Sequence, residues 1–136
     1  MNDYIEKLKY GSLKIDSTNI DMFWLEGASR INQIQQIDFL KRFYTSKLPI
    51  SERTEKIMRN IMTIKETEQY TLSGKTGLSM VNDEYNGWFV GYIELKNNTY
   101  IFATNLEPIE EFDFDSFIKK RLDITLEAFR VMNILE

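Results

Sequence analysis

The chain has 136 residues, with 17 Lys+Arg against 21 Asp+Glu and a formal net charge of −4. With 43% hydrophobic and 28% charged residues it has the make-up of one folded domain, which excludes a disordered or fibrous chain. The mild acidity argues against a nucleic-acid partner, because phosphate binding needs a clustered basic face.

Cysteine and histidine are both absent, so disulfides, thiolate chemistry, zinc knuckles and a Ser-His-Asp triad are excluded. Acid–base chemistry would fall to Lys, Tyr, Asp or Glu. Asp113 and Asp115 are flanked by Phe and read as a helix start rather than a calcium loop, so no metal and no cofactor is expected. The first ten residues lack the basic start and apolar run of a signal peptide, and no stretch reaches membrane-spanning length. Taken as it stands, the chain stays where it is made.

Residues 2–9 read as the end of a helix, with Tyr4, Ile5 and Leu8 on one side, broken by Tyr10-Gly11-Ser12. Residues 12–29 show no period. Within them Met22-Phe23-Trp24-Leu25 is a dense apolar cluster, expected to be an anchored, buried loop. Residues 30–46 carry Ile31, Ile34, Ile37, Leu40, Phe43 and Tyr44 at helical spacing. Pro49 ends that stretch. Ser51 with Glu52 and Glu55 opens a further helix, whose apolar side is Ile57, Met58, Ile61 and Met62.

Strand character begins at Tyr70. Residues 70–81 are rich in β-formers but interrupted by Gly74 and Gly77, and Asn82-Asp83-Glu84 reads as a turn. Residues 87–95 form the clearest strand, with Trp88 and Phe89 as core residues on opposite faces. Asn97-Asn98 is a hairpin turn and residues 99–105 form the next strand. Residues 113–135 are a helix started by Asp115 or Ser116. Its apolar residues go nearly all round, which predicts burial on more than one side. The sum is an α+β domain: a three-strand antiparallel meander packed with helices.

Gly74-Lys75-Thr76-Gly77 is the most informative feature. Glycine inside a strand marks close approach of another backbone or a ligand. A lysine and a threonine beside an open strand edge suit an extended acyl-amide, with the edge pairing its backbone and Lys/Thr polarising its carboxylate end.

In this context residues 70–105 resemble the C-terminal half of class D beta-lactamases and the penicillin-sensing domains of beta-lactam receptors. Lys-Thr-Gly is a motif of serine beta-lactamases and penicillin-binding proteins. Gly87-Trp88-Phe89-Val90-Gly91 follows in order. Tyr10-Gly11-Ser12 stands where the family has Tyr-Gly-Asn, and Phe23-Trp24-Leu25-Glu26-Gly27 matches a segment whose Trp steadies the catalytic site. Arg121-Leu-Asp-Ile-Thr125 resembles the segment that supplies an arginine to the substrate carboxylate.

The resemblance implies Lys75 as catalytic proton relay and electrostatic partner of the ligand carboxylate, Thr76 as a further bond to that carboxylate, and Gly77 as a substrate-binding residue. It further implies the Leu78 N–H as half of an oxyanion hole, Arg121 as carboxylate clamp, and Trp24 and Tyr10 as supports. The ligand it implies is a beta-lactam or a peptidoglycan-like acyl-amide. The family nucleophile, a serine in Ser-x-x-Lys, lies upstream of the Tyr-Gly-Asn position. Residues 1–136 are therefore expected to be the C-terminal portion of a single beta-lactamase or transpeptidase-like domain, inactive alone. It would be partnered by a missing N-terminal half, a homodimer or a domain swap, and exported if cut from a longer family member.

Ser116-Phe-Ile-Lys119 is formally Ser-x-x-Lys, but eight serines and eleven lysines give about 0.65 such matches by chance. Ser116 reads as a helix-start residue. Ser17-Thr-Asn19 and Ser79-Met-Val81 imitate the family's second motif by accident. Ser12 replaces the family asparagine and removes an amide.

Overall fold

The computed structural model of the chain describes residues 2–23, 28–81, 84–108 and 112–135. The elements run α1 (Asn2–Leu8), α2 (Gln33–Tyr44), α3 (Glu52–Met62), β1 (Thr63–Glu66), β2 (Tyr70–Val81), β3 (Glu84–Leu95), β4 (Thr99–Leu106) and α4 (Phe114–Val131). The fold is α+β, and its antiparallel sheet has the order β1-β2-β3-β4. Four strands stand where the pattern predicts three. β1 is four residues long, exposed throughout, and leaves α3 without a linker, so it carries no alternation to detect.

Local chemistry sets the helix ends. Asn32 caps α2 and shares a reciprocal capping box with Gln35, which moves the start of the helix from residue 30 to Gln33. Ser51 caps α3 as expected. The cap of α4 is Asp113, which accepts from the Ser116 N–H, rather than Asp115 or Ser116. At the other end of α4, Asn133 adopts φ +55°, and the Asn133 and Ile134 N–H groups bond back to Arg130 and Phe129. This left-handed cap stops the helix at Val131, short of the predicted residue 135.

β2 and β3 pair over twelve residues in unbroken register. Alternation then feeds two cores. Tyr92 faces Leu40, Phe43, Leu48 and Met62 from the α2–α3 side, whereas Leu72, Phe89, Ile93 and Phe102 meet Phe129 of α4. The sheet thus lies between α2–α3 and α4.

Two predicted burials fail for one reason. α4 buries a single stripe, Phe117, Arg121, Thr125 and Phe129, and leaves Ile124, Val131 and Met132 exposed. α3 buries Met62 alone, and Ile57, Met58 and Ile61 are exposed. Each helix meets the sheet on one side, and no described residue covers the other. Met22 is also exposed rather than anchored. Trp24, Leu25, Asn82 and Asp83 lie outside the described residues. Among the described residues no helix is long and apolar enough to cross a membrane.

The tightest point of the sheet is Gly74 opposite Gly91. A Cβ on Gly91 would stand 2.0 Å from the Ser73 carbonyl oxygen and 2.6 Å from the Gly74 Cα. Gly91→Ala is expected to lower stability by about 3 kcal/mol, read as the shift in the urea unfolding midpoint.

Candidate functional site

The strand pairing leaves one edge open. β1 covers β2 only from Thr71 to Ser73. From Lys75 to Ser79, β2 has β3 on one side and no strand among the described residues on the other. This free edge borders a cleft of about 990 Å³. The register puts Lys75 opposite Val90 and Gly77 opposite Trp88. The facing wall is Tyr10 with Gln36, Phe39 and Leu40 of α2 and Met58 and Met62 of α3.

The Lys75 ammonium donates to the Thr76 carbonyl at 2.9 Å. Both residues are exposed. Gly77 has room to spare: a Cβ there would meet nothing closer than the Trp88 Cβ at 3.6 Å. The packing of the described residues does not require that glycine, in contrast to Gly91.

Arg121 comes to the motif from the α4 side. It is 5% exposed, and its Nη1 donates to the Gly77 carbonyl at 2.5 Å while Nε donates to Ile118 O at 3.1 Å. Its stem crosses Gly87, where a Cβ would lie 2.9 Å from the Arg121 Cδ, so Gly87 is the gap that lets the arginine through. Burial pushes the Arg121 guanidinium down from its ordinary value. An arginine remains charged even so, and no carboxylate bonds it among the described residues. Thr125, one turn on, donates to the Arg121 carbonyl and meets the Thr104 hydroxyl at 2.6 Å, tying this part of α4 to β4.

On the far wall, the Tyr10 hydroxyl donates to Gln36 Oε1 at 2.7 Å, and its ring meets Phe39 edge-on at 4.6 Å. Burial pushes the Tyr10 hydroxyl up, against the opposing effect of its bond to Gln36. At one end of the cleft Asn105 donates to Asn86, and Asn86 donates to Glu107 at 2.6 Å.

Of the residues singled out in the sequence, Lys75, Thr76, Gly77, Leu78 and Tyr10 border this one cleft. Arg121 stands behind it and is buried, and it is not among the residues that line the cleft. Trp24 lies outside the described residues. Ser116 is in the first turn of α4 and away from the cleft, whereas Ser79 lines it. Gln36 was missed, although it falls four residues before Leu40 and seven before Phe43, in the buried stripe of α2. Trp88, expected in the core, is half-buried and lines the cleft. Among the described residues no group of three or more acidic side chains could hold a metal ion.

The family model of the penicillin binding protein transpeptidase domain matches residues 1–119. Beta-lactamase OXA-48 of Klebsiella pneumoniae is 37% identical over 107 residues, covering 79% of this chain and 40% of that protein. The methicillin resistance mecR1 protein of Staphylococcus aureus is 36% identical over 108 residues, covering 79% of this chain and 18% of that protein. The crystal structure of the class D beta-lactamase YbXI from Nostoc aligns with a TM-score of 0.90 at 38% identity, over 99% of this chain and 55% of that one. The chain therefore spans 40% of the length of the first relative and 55% of the solved one.

Burial holds the protons of both Tyr10 and Tyr92 above the ordinary tyrosine range. The folded state keeps these protons longer than the unfolded chain does. Their contribution is full below about pH 10, the unfolded value, and is lost as pH rises through the raised folded values. Urea midpoints are expected to hold steady up to about pH 9 and to fall above about pH 10. Tyr10→Phe should make that fall shallower.

Proposed function

The chain belongs to the penicillin-binding protein transpeptidase domain family, and on that premise we propose that it supplies the carboxylate-binding strand edge of a beta-lactam-recognising site. The observation that carries this reading is the free edge of Lys75–Leu78 along the cleft. A ligand laid on the edge pairs its amide with the backbone, as a further strand would. Its carboxylate takes charge-assisted bonds from Lys75 and from the Thr76 hydroxyl. Thr76 shares its sheet face with Phe89, the face that packs on α4, so the buried Arg121 cation stands on the side where that carboxylate arrives. The Leu78 N–H serves as one oxyanion donor. The unneeded room at Gly77 supports this, because a glycine that its own chain does not require is accounted for by an approaching ligand.

The nucleophilic serine and its general base come, in this reading, from polypeptide beyond these 136 residues. Serine Oγ would attack the lactam carbonyl, the C–N bond would break, and the ring nitrogen would take the proton relayed through Lys75. Fast hydrolysis of that acyl-enzyme makes a beta-lactamase, and slow hydrolysis makes a sensor. The similarity to the methicillin resistance mecR1 protein keeps the sensor as the second reading.

In this reading, the faces that such further polypeptide would cover are apolar. They comprise Ile57, Met58, Ile61 and Ile64 along α3 and β1, and the outer edge of β4, which carries no charge. Uncovered edges of that kind pair with other chains. Light scattering at high concentration should therefore give a dimer or larger species, and a clean monomer would count against it.

Incubation with a fluorescent penicillin, read by intact mass, is expected to leave the mass unchanged. An adduct on Ser116 or Ser79 would refute the assignment of the nucleophile to other polypeptide. Benzylpenicillin at millimolar concentration is expected to shift the backbone amide signals of Lys75–Leu78. The pair Lys75→Ala and Thr76→Val should weaken that binding about tenfold or more, with unfolding unchanged.

A further inference from the structure

Gln36 is 5% exposed and sits in the buried stripe of α2. Its carboxamide has two ends to satisfy. Oε1 is taken by the Tyr10 hydroxyl at 2.7 Å. Tyr10 in turn cannot drift. Its ring is set against Phe39, and the next residues are pinned by the paired backbone bonds between Ser12 and Arg30. With Oε1 facing Tyr10, the amide nitrogen faces away from it. Among the described residues that nitrogen has no hydrogen-bond partner, and no buried side-chain N or O atom goes unpaired. It therefore opens into the cleft that Gln36 lines. The side chain is held in place by burial and by Tyr10, while its one unused donor is directed at the cleft, where an acceptor on a bound molecule can take it.

We propose that Gln36 is a ligand contact, whose side-chain N–H donates to the amide oxygen that a beta-lactam carries outside its ring, with Tyr10 as the positioning residue that sets its direction. This rests on the reading of the cleft given above. In that reading the carboxylate is matched by Lys75 and Thr76 on the β2 edge and the lactam oxygen by the Leu78 N–H. The acylamino oxygen is the remaining strong acceptor of the ligand. Gln36 supplies a neutral donor from the opposite wall, and a neutral donor suits an amide oxygen as a cation suits a carboxylate.

The test uses the full 136-residue chain labelled with nitrogen-15, with the Gln36 side-chain signals assigned through Gln36→Glu. Glu keeps an acceptor for Tyr10 and removes the donor. Two probes are titrated: benzylpenicillin, and the penicillin nucleus bearing a free amine in place of the acylamino chain. Both should shift the Lys75–Leu78 amides, and benzylpenicillin alone should shift the Gln36 side-chain pair. Gln36→Glu should weaken benzylpenicillin about tenfold and the nucleus less than about twofold. Gln36 signals that stay still, or that move equally with both probes, overturn the proposal and leave the site reading standing. Lys75–Leu78 amides that respond to neither probe overturn the site reading and this proposal with it.

Discussion

The β2–β3 ladder is the constraint on which the rest of the structure depends. Twelve residues of each strand pair without a slip, and the side-chain period of two then sends every core residue to its layer. Leu72, Phe89 and Ile93 go to α4, and Tyr92 and Val90 go to α2 and α3. A shift of one residue would exchange those faces. The ladder also runs past the end of β1, and that overhang leaves the Lys75–Ser79 edge open. The same pairing that builds the core therefore builds the site.

Glycine does three different jobs along this ladder. At Gly91 it allows two backbones to approach closer than any side chain permits. At Gly87 it opens a passage through which Arg121 reaches the Gly77 carbonyl. At Gly77 the surrounding protein makes no demand for it. Packing accounts for the first two, and the third is the one that the proposed ligand site would explain. The buried Arg121 belongs to the same arrangement. An uncompensated cation behind a strand edge is costly to bury, and two backbone carbonyls offset only part of that cost. Its positive charge stands behind the Gly77 carbonyl, on the α4 side of the strand edge.

Much of this was legible locally. Ser51 announces α3, and alternation announces β3, because caps and sheet faces are written in neighbouring residues. Lys75, Thr76, Gly77 and Leu78 are consecutive, so a motif could find them. Tyr10 joined them through resemblance. β1 could not be read, because four exposed residues have neither a period nor a turn before them. Gln36 was overlooked because a polar residue in an apolar stripe reads as a break in the stripe, when it is in fact a polar member of a buried face.

Residue types and their local order were enough to determine the α+β class, most of the element order, the Lys-Thr-Gly strand and the family. Tertiary structure alone decided which apolar faces are buried, as Ile57 and Ile61 show by standing exposed. It also decided that Arg121 lies behind the strand and that Tyr10 and Gln36 face the strand edge across a cleft. The reason is physical. Caps, turns and alternation act over a few residues, so the sequence displays them directly. Burial and hydrogen-bond partnership depend on groups far apart in the chain, as Arg121 and Gly77 are, and those meet only once the sheet and its helices have packed.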